Sequence, residues 1–195
     1  MNYDEILLNM EREGFRGPRK RFSFCMPNAK AELESALRVV ANRLGEPLVW
    51  LPEYNEVANW LSDNKGRGLY LFGAVGRGKS LLIRYVLPMI FRARLNRVFK
   101  VVDCANSALS IDQVLNSHFI ALDDLGAESD TVDYGTRRQL AVEAICKAQD
   151  DPGVFLIASS NYDSEALLNR YGNRVFDRIK YLFHRIPFNG PSMRK

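Results

Sequence analysis

The octapeptide Gly73-Ala74-Val75-Gly76-Arg77-Gly78-Lys79-Ser80 constrains this chain more than any other stretch. Its spacing (Gly, four residues, Gly, Lys, Ser) is that of a phosphate-binding loop, provided a strand precedes it and a helix follows. An apolar run at 69–73 and a helical pattern from Ser80 to about Arg94 meet that condition. The glycines let backbone N–H groups close around a phosphate with no side chain in the way. Lys79 would reach the β and γ oxygens, Ser80 would hold magnesium, and the helix would turn its positive N-terminal end to the phosphates. The candidate nucleotide-binding residues are therefore Gly73, Val75, Gly76, Arg77, Gly78, Lys79, Ser80 and Leu81. Pro88 should kink or end the last turns of that helix.

Further apolar runs lie at 98–102, 118–122 and 154–158, with a fifth candidate at 181–187. Near-continuous apolar strands alternating with helical or loop-rich stretches predict a parallel sheet covered on both faces. The fold class is thus α/β, placed at 50–195. Residues 1–49 read as a helical N-terminal extension, with amphipathic helices at 3–14 and 29–44 and a boundary near Gly45-Glu46-Pro47. A third short helix is expected from about Pro52 to Asp63.

The chain has 195 residues, 47% apolar and 26% charged, which excludes wholesale disorder. No run of 18 apolar residues occurs, so no membrane span is expected. The acidic start MNYDEILLNMEREGF lacks an apolar signal core, and Cys25, Cys104 and Cys146 form neither a zinc pattern nor a disulfide framework. Both points suggest a cytoplasmic protein. The net charge of +4 is segregated: Lys and Arg exceed Asp and Glu by six over 51–100 and fall short by six over 101–150. That pattern suits a site needing cations in one place and carboxylates in another.

The run at 118–122 ends in Asp123-Asp124. Adjacent carboxylates at a buried strand end repel unless a cation or solvent compensates them. Beside a phosphate loop, Asp123 would support magnesium and Asp124 would orient or deprotonate the attacking water. The run at 154–158 ends in Ser159-Ser160-Asn161. Asn161 would lie on the strand edge where α/β sheets bind ligands, and it could equally be a helix cap or turn residue.

These residues carry a resemblance. Asp123-Asp124-Leu125-Gly126-Ala127-Glu128 resembles the Walker B stretch of the DnaC/DnaI helicase loaders and the IstB transposition ATPases, which belong to the AAA+ group. Ile157-Ala158-Ser159-Ser160-Asn161 is similar to their sensor 1 strand, and 171–179 (YGNRVFDRI) is similar to their arginine-finger box. Gly190-Pro191-Ser192-Met193-Arg194 matches their Gly-x-Ser-x-Arg ending. The resemblance covers about 50–195 and implies a P-loop αβα sandwich of AAA+ type, without a lid domain, that binds ATP and Mg2+ between subunits of an ATP-dependent homo-oligomer. It implies catalytic roles for Lys79, Asp124, Asn161 as sensor 1, and Arg174 or Arg178 as a finger acting in the neighbouring site. The segment 104–117 is shorter than the one that holds single-stranded DNA in those loaders, and the resemblance does not extend to residues 1–49.

The implied activity is ATP hydrolysis driving assembly on a replicative helicase or related DNA complex, with 1–49 as the docking piece. An IstB-like transposition role and a small-molecule P-loop kinase are the alternatives. For single-stranded DNA, the candidate contacts are Arg84, Arg92, Arg94 and Arg97 with Tyr85, Phe91 and Phe99 interleaved, and the basic stretch 16–21; Tyr85 and Phe91, though, sit in an apolar helix that must pack on the sheet and are expected to be core residues.

Overall fold

Five parallel strands form the central sheet: β1 (Gly68–Gly73), β2 (Lys100–Asp103), β3 (Phe119–Asp123), β6 (Phe155–Ser160) and β7 (Phe183–Phe188), in the order β2-β3-β6-β1-β7. The computed structural model describes residues 2–15, 17–107, 109–128, 131–133 and 136–193. A two-stranded antiparallel hairpin, β4 (Thr131–Asp133) and β5 (Thr136–Arg138), follows β3. Its three-residue strands are too short for periodicity to reveal in the sequence.

Side chains alternate between the two faces of each strand. On β3, Phe119 and Ala121 join one core while Ile120 and Leu122 join the other; on β6, Phe155 and Ile157 separate from Leu156 and Ala158 in the same way. Both faces are covered by helices, which is why the strands read as unbroken apolar runs. The second face carries α6 (Ile111–Leu115), α7 (Leu140–Asp150) and α8 (Ser164–Leu182). Gly172 (φ 77°, ψ 168°) breaks α8 in its middle.

The first face carries α2 (Ala29–Leu44), α3 (Glu53–Ser62) and the helix after the phosphate loop. In α2 the buried residues Ala29, Leu33, Ala36 and Leu37 make one stripe. Gly45 (φ 71°) ends the helix in the left-handed conformation, and the Glu46 N–H closes back on Ala41 O at 3.0 Å. Phe22 and Phe24 lie edge-on to Phe155, and Phe24 also meets Trp60 and Phe91. The predicted extension therefore does not pack as one piece. Residues 22–44 belong to the core of the sheet, whereas α1 (Tyr3–Arg12) has no buried residue.

The helix after the loop runs as α4 (Lys79–Leu81), a π-helical turn (Leu82–Val86) and α5 (Leu87–Leu95). Pro88 has no N–H to give the Arg84 carbonyl four residues back, and the π turn, closed by Leu87 N–H on Leu82 O, absorbs that loss. The helix consequently continues past the proline to Leu95.

Candidate nucleotide-binding site

The C-terminal ends of β1, β3 and β6 converge on a cavity of about 630 Å³, within the size range of small-molecule sites. One wall is the loop from Val75 to Leu81, and Asp124 and Asn161 reach the same cavity. Lys79, Asp124 and Asn161, far apart in sequence, are thus brought together. Gly76 (φ 80°) and Gly78 (φ 84°) hold the loop in the left-handed region, and Gly78 caps α4. Lys79 is almost fully buried, its Nζ donating to Gly73 O at 2.8 Å and Ala74 O at 2.7 Å.

A second wall is largely apolar, formed by Leu37, Ala41 and Leu44 of α2 and the linker residues Glu46, Pro47, Leu48 and Val49, while Tyr54 of α3 and Met193 line the cavity beside the loop, against Gly78 and Gly76. Sequence reasoning gave these residues no role in the site. The only signal for them was the α2 stripe, whose outer positions extend beyond the sheet core to the cavity. Burial and the Glu53 carboxylate push the Tyr54 phenol up to about 12.

Asp123 and Asp124 separate sharply. Asp123 is fully buried and does not line the cavity; its Oδ2 accepts from Arg84 Nε and its Oδ1 from Ser159 Oγ. Asp124 has φ 57°, takes its backbone N–H to Ser159 Oγ at 3.1 Å, and accepts from Asn161 Nδ2 at 2.8 Å. Burial, then the Asp123 and Asp103 charges, raise the Asp124 carboxyl above its ordinary range, against the pull of Lys79 and Arg84. In its ionised form this carboxylate is placed to accept a proton at the cavity.

Arg77 turns away from the phosphate cradle. Its Nη2 donates to Glu53 Oε1 at 2.6 Å, forming a buried ion pair, and its Nη1 donates to Pro191 O at 3.4 Å. The segment ending at Met193 thus lies on the loop: Met193 N–H meets Gly76 O at 2.9 Å, and a Cβ on Gly76 would collide with Ser192 Oγ. Arg194 lies outside the described residues.

The two finger candidates differ. Arg174 is exposed on the second half of α8, while Arg178 is half-buried and donates to Cys146 Sγ of α7. Neither lines the cavity of its own chain. The candidate DNA contacts are corrected in part. Arg84 is bound to Asp123 and Asp103, Phe99 is a core residue, Arg94 pairs with Glu32, and Arg97 lies over the Phe22 and Phe119 rings; Phe91 is buried as expected of a core residue, whereas Tyr85, expected in the core as well, is exposed. Arg21 donates to the Ala148 and Gln149 carbonyls, and Arg16 lies outside the described residues.

Among the described residues, no three His, Cys, Asp or Glu side chains cluster as a metal cage. Ser80 and Asp124 nevertheless put two hard oxygen donors on the cavity. This suits magnesium, which commonly takes one or two protein oxygens and completes its shell with phosphates and water. No helix among the described residues is long and apolar enough to cross a membrane.

No family model matches the chain, and no curated protein is similar to it in sequence. Solved structures are similar in fold. A candidate primosome component from Streptococcus pyogenes serotype M3 aligns with a TM-score of 0.51 at 20% identity, over 86% of this chain and 83% of that one. The DnaC helicase loader aligns at 0.50 and 20% identity, over 85% of this chain and 93% of that one. DnaI aligns at 0.49 and 21% identity, over 80% and 84%. The fold is that of a P-loop αβα sandwich of the DnaC type, as the motifs led one to expect.

Proposed function

We propose that the protein binds and hydrolyses ATP, and that it acts in DNA replication by ATP-dependent assembly on a helicase or DNA complex. The observation that supports this best is the convergence of Lys79, Asp124 and Asn161 on one cavity beside the phosphate loop. The shared fold with the DnaC helicase loader supports the choice of process.

In this reading the loop backbone and Lys79 bind the β and γ phosphates, and the apolar wall from α2 to Val49 takes the base. For the lysine to do so, its ammonium exchanges the Gly73 and Ala74 carbonyls for phosphate oxygens. Asp124 takes the proton of the water that attacks the γ-phosphorus, and Asn161 fixes that carboxylate and the water. Ser80 would hold magnesium from the cavity, and Asp123, which lies behind the lining, would act on the ion only through its water. When bound, that ion neutralises phosphate charge and helps the leaving oxygen depart. Arg174, the exposed member of the pair, completes the site of a neighbouring subunit in a homo-oligomer. The docking piece within 1–49 is α1, which alone of that segment's helices is left outside the core; Tyr3, Ile6 and Met10 on it are exposed.

Size analysis of the protein with ATP and magnesium, with and without single-stranded DNA and a replicative helicase, tests this. ATP-dependent growth in size that incorporates the helicase is expected. A monomer that hydrolyses ATP at full rate and ignores the helicase would contradict it.

A further inference from the structure

The turn 124–128, which follows β3, runs from the nucleotide cavity to the middle of α8. Asp124 lines the cavity at its start, and Glu128 is buried at its end, 5% exposed. Hydrogen bonds tie every residue between them. Leu125 gives its N–H to Ser159 O at 2.7 Å and takes Ser160 Oγ on its carbonyl at 2.6 Å, and the Ala127 N–H closes on Asp124 O at 3.0 Å. The Gly126 N–H donates to Glu128 Oε2 at 2.8 Å. A Cβ on Gly126 would stand 3.2 Å from the Leu167 side chain, so the turn lies directly on the first half of α8.

Glu128 then holds α8 at two successive residues. Its Oε1 accepts from the Tyr171 hydroxyl, and its backbone carbonyl accepts from Arg170 Nη2. Burial, then the Glu128 charge, push the Tyr171 phenol up, so it stays a donor. The next residue is Gly172, whose φ of 77° and ψ of 168° suit glycine alone and break the helix. Two residues beyond the break stands Arg174, exposed. The turn that starts with the proposed general base therefore holds the last residue before the break, and so fixes where the half-helix carrying Arg174 begins.

We propose that Glu128 and Tyr171 are positioning residues for the neighbouring subunit's reaction: by fixing α8 up to Gly172 they aim Arg174 out of the subunit, and they couple a subunit's own Asp124 turn to the arginine that it lends. This rests on the reading of Arg174 as a group acting in the neighbouring site, and goes beyond it by naming what aims the arginine. A guanidinium stabilises a transferring phosphoryl group only where it is accurately placed, and a shift of about 1 Å can cost about 10²-fold in rate. Glu128 is built for the task because its two carboxylate oxygens join the turn to the helix, one on Gly126 and the other on Tyr171.

The test is phosphate release by mixtures of full-length subunits, combined before ATP is added. Tyr171→Phe removes the hydroxyl and keeps the ring, and alone it should turn over about ten- to a hundredfold more slowly than the wild type. Mixed with Asp124→Asn, whose arginine is intact, it should recover part of its activity, because its own site is sound. Mixed with Arg174→Ala it should not recover, because neither subunit then aims an arginine. A tyrosine that serves only its own subunit's site or fold predicts the reverse pattern. A Tyr171→Phe variant as active as the wild type, no recovery with Asp124→Asn, or recovery with Arg174→Ala would each overturn the inference. If Tyr171→Phe does not fold, Gly172→Ala, whose Cβ would meet nothing within 4 Å, is read in the same two mixtures with the same outcomes. The mixture of Arg174→Ala with Asp124→Asn separates the two failures. No recovery there overturns the reading of Arg174 and the inference with it, whereas recovery there and none between Tyr171→Phe and Asp124→Asn overturns the inference alone.

Discussion

Asn161 Nδ2 donates to Asp124 Oδ1 at 2.8 Å, joining the polar ends of two hydrogen-bonded neighbours, β3 and β6. The amide holds the carboxylate by one oxygen at the cavity, with the aspartate backbone tied to Ser159 behind it. Asp124→Asn should leave nucleotide binding in place and reduce hydrolysis by about 10²–10⁴-fold, the usual worth of a positioned general base. Binding by calorimetry and turnover by phosphate release check the two halves separately.

The raised carboxyl of Asp124 sets a sign for pH dependence. Only the ionised form accepts a proton, so kcat/KM should fall as pH drops through the raised value. The acid limb should therefore lie above the ordinary carboxylate range. Asn161→Ala should slow turnover and displace that limb. A pH profile identical in wild type and Asn161→Ala would mean that the amide does not act on this carboxylate.

The Arg77–Glu53 pair is buried on both sides, at 9% and 10% side-chain exposure. Removing one partner of such a pair leaves an uncompensated charge, which costs about 3–5 kcal/mol. Arg77→Met should show that loss in urea denaturation. The double variant Glu53→Gln/Arg77→Met should recover part of it, because no buried charge is then left alone.

Truncation should divide the predicted N-terminal extension at the point where burial begins. Removing residues 1–15 takes away α1, which buries nothing, and should leave the unfolding midpoint unchanged. Phe24→Ala should instead cost about 3–5 kcal/mol, since the ring is 8% exposed and packed among Trp60, Phe91 and Phe155.

The parts of this molecule that were legible beforehand are those whose chemistry is local. The phosphate loop shows itself because glycine, lysine and serine must stand at fixed offsets, and the strands do because burial on both faces demands runs such as 155–158. Arg84 stood among the candidate DNA contacts because its two partners lie 19 and 39 residues away, and only the sheet order brings them under the helix. The wall made by Leu37, Ala41 and Leu44 was hidden for the same reason. An amphipathic stripe reveals that a helix face is covered, not which side of it a cavity takes. Pro88 was expected to kink or end the helix, and which of the two occurs was not legible because the π turn that lets the helix pass it leaves no mark in hydrophobic periodicity.

The exposure of Arg174 and the packing of Arg178 on Cys146 predict different variants. Arg174→Ala should lose turnover at unchanged stability, and mixing it with Asp124→Asn should restore part of the activity, since each subunit supplies what the other lacks. An unrestored mixture would place the residue outside the neighbouring site.

The central claim is that the phosphate loop binds and turns over ATP, and the most direct measurement is hydrolysis by wild type and Lys79→Ala. Both are assayed with magnesium, in the presence and absence of single-stranded DNA, alongside calorimetric ATP binding. The expected result is ATP binding and phosphate release by the wild type, with both lost or greatly reduced in Lys79→Ala while its unfolding midpoint is retained. Equal hydrolysis by the two proteins, or none by the wild type under any condition, would contradict it.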